Sequence, residues 1–387
     1  MAIDVFPIPQ STIRRSPFHQ GTLEAGCDGY GVYSYTISDV CYYPANVMDP
    51  VEEYWKLVKD AILFDPPVER PIEIRGPQAS ELVDRLVTRD LSTCRVGQCK
   101  YVVLCDDKGG LLPDSVLIRL DSDRYWLSGD LGWIKGLGIG WGLAADVFQS
   151  NAAPVQVQGP RSKDVMHSMF GDTVSGLKFY NWVEVTFHGL PLIVTRTGWT
   201  GEHGYEIYLS DQERGLELWN AILDAGKPYG LVAGGTSMAR RVEAGILAMG
   251  EYCLEHNPYE VGLGRWVDLD KKSPFVGREA LRYIHNRGIT RKLVGYTSPE
   301  EIVPANYNMT HELEFPFPVR VGANVVGTVT VAVWSPSLEK TIGFAMVPIE
   351  LSEIGSSLTA DTPDGPVEIE VTSVPFVDPG KLRMKGA

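Results

Sequence analysis

One carboxylate in a glycine-rich stretch has neighbours that would suit the binding of a flat, polar ring. Glu206 lies near the start of a strand-like run, Tyr205–Leu209, which follows a segment that contains three glycines. Side chains of a strand alternate between its two faces, so Glu206 and Tyr208 should share one face. A carboxylate beside aromatic and aliphatic residues is costly to bury without hydrogen-bond donors. A heterocycle with two parallel N–H groups, such as a pterin, would supply them, whereas a hairpin that exposes Glu206 to water is the simpler alternative.

Other kinds of chemistry have less support in the sequence. The seven histidines are scattered, without an HExxH motif or a cysteine and histidine cluster at ligand spacing, so no metal site is predicted. The six cysteines form no CxxC pair, and we expect reduced thiols. The glycines of 136–142 fall at every second position and therefore do not match the GxGxxG motif of dinucleotide-binding loops.

The order of strand and helix patterns predicts how these residues are positioned. A strand, a Gly-Pro pair and a helix occur in 71–86 and again in 154–170, which indicates two related α/β halves. The spacing of apolar residues also predicts a helix over 48–64. From about residue 291 the pattern changes to short strands and turns, which is typical of a small all-β unit. We therefore predict three domains: an N-terminal α+β half over 1–150, a second α+β half over 151–288 and a C-terminal all-β domain over 289–387.

Charge and hydropathy argue against two classes of partner. The formal net charge of −14 argues against nucleic acid, because binding phosphates requires a basic surface. No apolar stretch approaches membrane-spanning length, and the first 18 residues lack the apolar core of a secretory signal. We therefore expect a cytoplasmic protein with no membrane partner.

The stretch Arg196–Ile207, with the sequence Arg-Thr-Gly-Trp-Thr-Gly-Glu-His-Gly-Tyr-Glu-Ile, resembles the signature of the glycine-cleavage T-protein family. This family contains folate-dependent aminomethyl- and methyltransferases. Further segments resemble the family in order along 46–377, among them Arg241–Gly245, Phe275–Leu281 and Gly327–Leu338. The resemblance implies a multi-domain α+β folate-binding fold with two related α/β halves and a small C-terminal β-barrel or jelly-roll domain. It also implies tetrahydrofolate as the cofactor.

The resemblance also implies roles for individual residues. Asp114 follows a glycine-rich turn and corresponds to the catalytic aspartate of the family, although Pro113 replaces the aspartate that normally precedes it. The residues that the resemblance places around the pterin are Tyr101, Trp199, Glu206 and Trp266. The alternatives are that Asp114 only caps a turn before a strand, and that the aromatic residues are ordinary core residues.

Two departures from the family pattern narrow the choice among the activities that the resemblance implies. Ser237 stands where T-proteins carry an arginine that helps to hold the folate, and Lys381 stands where a tyrosine is expected. Both argue against glycine cleavage and against docking to a lipoyl carrier protein. The segments 16–18, 29–33 and 257–262 instead resemble the dimethylsulfoniopropionate demethylase-like branch of the family, although 198–204 departs from that branch.

We therefore expect a tetrahydrofolate-dependent methyltransferase that demethylates a small methylated substrate, with dimethylsulfoniopropionate or a related onium compound as the donor. Tyr30 and Tyr33 would form a cage for the onium group through cation–π contacts, although packing of an N-terminal segment explains them equally well. The enzyme alternatives are an aminomethyltransferase of the glycine-cleavage type and an O-demethylase of a methoxy-aromatic, for which His203 is a candidate acid. The alternative outside enzymes is a folate-binding assembly factor. The methyl donor and the oligomeric state stay open.

Overall fold

The structure of the protein is a computed structural model that describes residues 13–27, 29–34, 39–303 and 316–386. Its elements form a small hairpin, a six-stranded sheet, a five-stranded sheet and a closed six-stranded barrel. Helices cover the outer faces of the two larger sheets. The predicted multi-domain α+β architecture with a small C-terminal barrel is therefore confirmed. None of the helices in these described ranges is long and apolar enough to cross a membrane.

The strands that precede the barrel are mostly four to seven residues long. They are β1 (Tyr30–Tyr33), β2 (Cys41–Pro44), β3 (Ala61–Phe64), β4 (Ile72–Arg75), β5 (Cys99–Val102), β6 (Ser115–Asp121), β7 (Arg124–Leu127), β8 (Asp146–Gln149), β9 (Ala153–Gln158), β10 (Trp182–Phe187), β11 (Leu190–Thr195), β12 (Gly204–Leu209) and β13 (Leu231–Ala233). The hairpin is β1–β2, the six-stranded sheet has the order β10-β11-β12-β9-β3-β13, and the five-stranded sheet has the order β5-β6-β7-β4-β8.

The helices are short, and most of them lie between these strands along the chain. They are α1 (His19–Glu24), α2 (Pro50–Lys59), α3 (Ala79–Leu86), α4 (Leu131–Gly140), α5 (Ser162–Phe170), α6 (Asp172–Ser175), α7 (Gly215–Gly226), α8 (Met238–Glu243), α9 (Arg278–Arg287) and α10 (Leu382–Lys385). The glycines of 136–142 lie on α4 and at its C-terminal end, which agrees with setting the dinucleotide motif aside.

The helix predicted over 48–64 is wrong in its last turn. Asp49 caps α2 by accepting the backbone N–H groups of Val51 at 2.9 Å and Glu52 at 3.2 Å. The helix ends at Lys59, and Ala61–Phe64 form β3 with every side chain buried. A fully buried apolar run of four residues suits a central strand, and helical periodicity alone cannot separate the two cases.

The two larger sheets pack face to face. One face of the six-stranded sheet carries an apolar core shared with α5 and α7, which includes Val155, Tyr205 and Ile207. The opposite face meets the five-stranded sheet, where Trp126 of β7 contacts Tyr208 of β12 with ring centroids 5.4 Å apart. The far face of the five-stranded sheet packs on α3 and α4. The polar residues of the site lie near this junction between the sheets.

The two predicted halves share a sheet. Strand β3 lies before residue 150, yet it pairs with β9 antiparallel and with β13 parallel, both beyond that limit. The limit at residue 150 therefore does not separate the sheets, and the three domain ranges stay a prediction.

The C-terminal strands close into a barrel. They are β14 (Arg291–Ser298), β15 (Phe317–Val321), β16 (Asn324–Ser335), β17 (Lys340–Pro348), β18 (Ser357–Thr362) and β19 (Gly365–Thr372), in the barrel order β14-β17-β16-β15-β18-β19. Tyr296, Val319 and Val329 contribute to its core. A second cluster, with Phe344 and Val242, joins the barrel to α8 and therefore to the rest of the chain.

Candidate functional site

Glu206 is buried, with 6% of its surface exposed, so the hairpin alternative in which water solvates it is wrong. It points to the face opposite Tyr205 and Ile207, as strand alternation predicts. Its Oε2 atom accepts hydrogen bonds from three hydroxyl groups: Thr197 at 2.8 Å, Tyr208 at 2.9 Å and Thr195 at 3.3 Å. Burial raises the pKa of Glu206, and these hydrogen bonds oppose the rise.

The glycines before Glu206 leave space for a buried glutamine. A Cβ atom on Gly198 or on Gly204 would stand 2.2 Å from side-chain atoms of Gln158. The Gln158 amide is fixed in that space, because it donates to the carbonyl of Thr197 at 3.2 Å and accepts from Thr200 Oγ1 at 2.9 Å. The middle glycine, Gly201, has a φ of +73°, which disfavours any side chain. The segment is therefore held rigidly around Glu206.

A second carboxylate approaches Glu206 from another strand. Gln156 of β9 lies directly opposite Glu206, and its amide nitrogen donates to Glu206 Oε1 at 3.1 Å and to Glu69 Oε2 at 2.6 Å. Glu69 ends a 3₁₀ turn, Pro67–Glu69, just after β3. Burial and then the charge of Glu206 raise the pKa of Glu69 well above its usual range. Neither carboxylate has an ion-pair partner among the described residues.

Asp114 lies between two tyrosines. The Tyr252 hydroxyl donates to Asp114 Oδ1, and the phenol oxygen of Tyr252 accepts the backbone N–H of Asp114 at 3.0 Å. The Tyr101 hydroxyl also hydrogen-bonds to the Asp114 carboxylate. Burial raises the pKa of Asp114, and the hydrogen bonds from Tyr252 and Tyr101 oppose the rise. A carboxylate in this setting is a stronger base than an exposed aspartate, and it has no ion pair among the described residues.

Tyr180 connects the surroundings of the two carboxylates. Burial raises the pKa of its hydroxyl, and Glu206 and Asp114 both add to that rise, so it lies within electrostatic reach of each. Its backbone has a φ of +59°, which is uncommon for a residue other than glycine, and strained residues of this kind cluster at functional sites. Hydrogen bonds hold it, from Cys99 N–H to its carbonyl at 2.8 Å and from its own N–H to the carbonyl of Arg196 at 3.1 Å.

Trp199 lies on a buried ion pair. The Arg241 guanidinium is 5.2 Å from the centre of the Trp199 ring, and it pairs with Glu251 at 2.7 Å and 3.0 Å. Glu251 is within electrostatic reach of Asp114, and both act on Tyr33: burial raises the pKa of Tyr33, with contributions from the two carboxylates. The structure therefore brings Tyr33, Trp199 and Asp114 into one neighbourhood.

Trp266 flanks Tyr101, with ring centroids 5.5 Å apart. Two cations also lie near its ring: the Arg89 guanidinium is 4.6 Å and the Arg265 guanidinium 5.0 Å from the ring centre. Arg89 also donates to the carbonyl of Tyr101 at 2.7 Å. Trp266 therefore contacts Tyr101 and not Asp114 itself.

Tyr30 and Tyr33 do not share a face. They are three residues apart on β1, and a strand presents such positions to opposite sides. The Tyr30 hydroxyl hydrogen-bonds to Thr22 Oγ1 at 2.7 Å, and its ring lies 4.6 Å from that of His19. The two tyrosines therefore do not form one cage, and only Tyr33 lies near Asp114.

His203 is not placed to act as a cationic acid. Its Nδ1 atom is 2.9 Å from Ser162 Oγ, and burial together with the charge of Arg196 lowers its pKa to about 3. The imidazole is therefore neutral near pH 7. It is half-buried rather than freely solvated as a turn residue would be.

The two departures from the family pattern have local explanations. Ser237 is the N-cap of α8, and its hydroxyl accepts the backbone N–H of Arg240 at 3.2 Å. Lys381 has a φ of +52° and is half-buried beside the C-terminal helix. Burial and the positive charge of Arg265 lower the pKa of Lys381.

A buried ion network joins the glycine-rich turn to the barrel. Arg240 pairs with Glu202 at 2.9 Å and with Glu243 at 3.0 Å, and none of the three is exposed. Glu243 also accepts hydrogen bonds from Ser335 at 2.5 Å and Ser337 at 2.8 Å on the barrel side. The segments that resemble family motifs thus meet in space.

Sequence reasoning missed Tyr180, Tyr252, Glu69 and Gln156. One signal was available for Gln156: in Val-Gln-Val-Gln the glutamines alternate with valines, which predicts a polar face on β9. Tyr252 bonds to a residue 138 positions away, and no local pattern reports such a contact.

Comparison with known proteins follows the same division of the chain. A family model for the GCVT N-terminal domain matches residues 18–271, and one for the glycine cleavage T-protein C-terminal barrel domain matches residues 291–378. The chain is 32% identical to the dimethylsulfoniopropionate demethylase DmdA of Ruegeria pomeroyi over 363 residues, which cover 92% of this chain and 95% of the relative. It is 34% identical to an aminomethyltransferase of Symbiobacterium thermophilum over 349 residues, which cover 86% and 90%.

A solved structure has the same fold. The glycine cleavage system aminomethyltransferase T from Bartonella henselae superposes with a TM-score of 0.80 over 95% of this chain and 98% of that one, at 21% identity.

Proposed function

The chain belongs to the glycine cleavage T-protein family of tetrahydrofolate-dependent one-carbon transferases, and we propose that it is a demethylase within that family. Its donor in this proposal is a small methylated cation, with dimethylsulfoniopropionate or a related onium compound as the first candidate, and tetrahydrofolate receives the methyl group.

The residues present fit the cofactor. Gln156 is fully buried, and its Oε1 atom has no hydrogen-bond partner among the described residues. Such an orphaned acceptor beside Glu206 suits a flat ring whose edge carries N–H groups. Tyr101 and Trp266 offer aromatic surface nearby. Tetrahydrofolate, when bound, supplies a ring nitrogen that can accept a one-carbon unit.

The observation that carries the proposal is the setting of Asp114. Its carboxylate is held by the hydroxyls of Tyr252 and Tyr101 and has no cationic partner among the described residues. Since Glu251 is already paired with Arg241, the neighbourhood has an uncompensated negative charge. Asp114 would attract a cationic donor and accept a proton during transfer. Tyr33 and Trp199 add aromatic faces that favour an onium group, each contact being worth about 0.5–2 kcal/mol.

A sulfonium donor needs less from the protein than a methoxy-aromatic does. Its leaving group is a neutral thioether, so no acid is required, and holding the reactants in line contributes roughly 7–11 kcal/mol. A phenolate leaving group would need a proton donor. His203 is neutral and bonded to Ser162, which weighs against the O-demethylase alternative.

The aminomethyltransferase alternative keeps support from the 34% identity to such an enzyme. Ser237 argues against this alternative, because it caps α8 and cannot replace an arginine in holding an anion. We also propose that the chain acts without a lipoyl carrier protein, since Lys381 occupies the position where a tyrosine is expected.

Product analysis tests the proposal. The protein is incubated with tetrahydrofolate and a panel of sulfonium, betaine, amine and methoxy-aryl compounds, and the folate product is identified by mass spectrometry. We expect 5-methyl-tetrahydrofolate with a sulfonium or betaine donor. Formation of 5,10-methylene-tetrahydrofolate from an amine would support the aminomethyltransferase instead. Folate binding without turnover of any donor would support the assembly factor.

A further inference from the structure

We infer that Glu69 is a second carboxylate of the folate site and accepts an N–H hydrogen of the pterin's 2-amino group, because Glu206 has room for only one further hydrogen bond. This inference rests on the proposed folate site but not on the identity of the methyl donor.

Glu69 and Glu206 meet at one amide group although they come from different elements. Glu206 is on β12, and Glu69 ends the 3₁₀ turn that follows β3. Between them, Gln156 of β9 donates from a single nitrogen to both carboxylates, at 2.6 Å and 3.1 Å. Two carboxylates this close, with no cation paired to either among the described residues, repel each other in the free protein. A ligand that brings hydrogen-bond donors would relieve that repulsion.

The oxygens of Glu206 are largely occupied by the protein itself. Oε2 accepts from three hydroxyl groups, and Oε1 accepts from Gln156. Glu206 therefore has little capacity beyond one further hydrogen bond at Oε1. The acceptors that stay available are Glu69, whose hydrogen-bond partner among the described residues is Gln156, and the orphaned Oε1 of Gln156.

The aminopyrimidinone edge of a reduced pterin presents more donors than Glu206 can accept. It carries one ring N–H group and an amino group with two hydrogens. If Glu206 accepts one of these, the others need acceptors when they leave water, because an unpaired buried donor is costly. Glu69 and Gln156 are positioned beside Glu206 to accept them. Each of the three N–H hydrogens of this edge then has an acceptor among the three side chains.

A binding measurement with two ligands tests this assignment. Dissociation constants are measured by calorimetry, with no methyl donor, for tetrahydrofolate and for its analogue in which a methyl group replaces the 2-amino group. In Glu69→Met, which removes the acceptor but keeps the length, we expect tetrahydrofolate to bind about 10- to 100-fold more weakly. The analogue should bind the variant and the unaltered protein about equally, because it lacks the hydrogens that Glu69 accepts.

Two further variants complete the test. Glu69→Gln keeps a neutral acceptor, so its affinity for tetrahydrofolate should lie between those of the unaltered protein and Glu69→Met. It replaces Glu69→Met in the test if that variant does not fold. Glu184→Gln is the matched control. Because Glu184 is exposed on β10 of the same sheet, this variant should bind both ligands as the unaltered protein does. Equal losses for both ligands, or no loss for either, would overturn the role of Glu69. Failure of the unaltered protein to bind tetrahydrofolate would overturn the proposed function and this inference with it.

Discussion

The phenol oxygen of Tyr252 accepts the backbone N–H of Asp114 at 3.0 Å and donates to the carboxylate of the same residue. One side chain thus fixes both the backbone and the charge of the candidate catalytic residue. The contact joins a turn near residue 110 to a loop near residue 250. It makes the position and the pKa of Asp114 depend on a residue that is remote in the sequence.

Replacing Asp114 with Asn should severely slow turnover without unfolding the protein. The amide keeps the shape but cannot accept a proton, and a positioned base contributes about 10²–10⁴-fold to a rate. The measurement is kcat for the preferred donor, together with a thermal melt and the dissociation constant of tetrahydrofolate. The exposed Asp107, in the same turn region, gives the control Asp107→Asn. A normal rate in Asp114→Asn would remove Asp114 from the mechanism.

Replacing Tyr252 with Phe should shift the pH dependence of the reaction. The Tyr252 hydrogen bond favours the ionised form of Asp114 and lowers its pKa, so its loss raises that pKa. Because the ionised form is the base, the acidic limb of the kcat/KM profile should move to higher pH. The exposed Tyr283, as Tyr283→Phe, should leave the profile unchanged. An unshifted limb in Tyr252→Phe would contradict the coupling.

Replacing Glu206 with Ala should mainly weaken folate binding. Loss of a charged acceptor is expected to raise the dissociation constant of tetrahydrofolate about 10- to 100-fold. The hydroxyls of Thr197 and Tyr208 would also lose their acceptor, so the free energy of unfolding should fall by about 1–3 kcal/mol. Calorimetric binding and chemical denaturation measure the two effects separately. Unchanged affinity would show that the ring binds elsewhere.

Replacing Gly198 with Ala should destabilise the protein through Gln158. The new Cβ would overlap a fixed, buried amide, and overpacking of this kind costs about 1–3 kcal/mol. The double variant with Gln158→Ala should recover much of that loss, because it empties the space. Gly140→Ala, at an open position in α4, should be neutral or slightly stabilising. Urea denaturation measures the free energy of unfolding of the unaltered protein, Gly198→Ala, the double variant and Gly140→Ala.

Stability should fall as the pH rises from about 4 towards 7 because of Asp65. Asp65 is 2% exposed and accepts a hydrogen bond from Ser16, and burial raises its pKa to about 7. A carboxyl group whose pKa is raised on folding contributes stability below its unfolded pKa and loses it up to its folded pKa. The slope is about 1.4 kcal/mol per pH unit. In unfolding experiments between pH 4 and pH 8, the stability of Asp65→Asn should fall less steeply by about this amount, and an equal slope in both proteins would contradict the assignment.

Local patterns in the sequence were enough to predict several features. Strand alternation placed Glu206 and Tyr208 on the face opposite Tyr205, because the period of two is a property of each strand by itself. The change to short strands predicted a small all-β domain at the C-terminal end, and the family resemblance implied that it is a barrel or jelly roll. The same alternation, applied to β1, separates Tyr30 from Tyr33 and shows why the predicted cage fails.

Only the tertiary structure decided how charges and hydrogen bonds meet. Glu69, Gln156 and Glu206 lie on separate elements, and β3 joins the sheet of the later strands although it precedes them by some ninety residues along the chain. Asp114 acquires its partners Tyr101 and Tyr252 in the same way. The sequence by itself determined which faces are apolar, because burial follows local periodicity. Which polar groups come together in the site depends on the pairing of distant strands, and local periodicity does not encode that pairing.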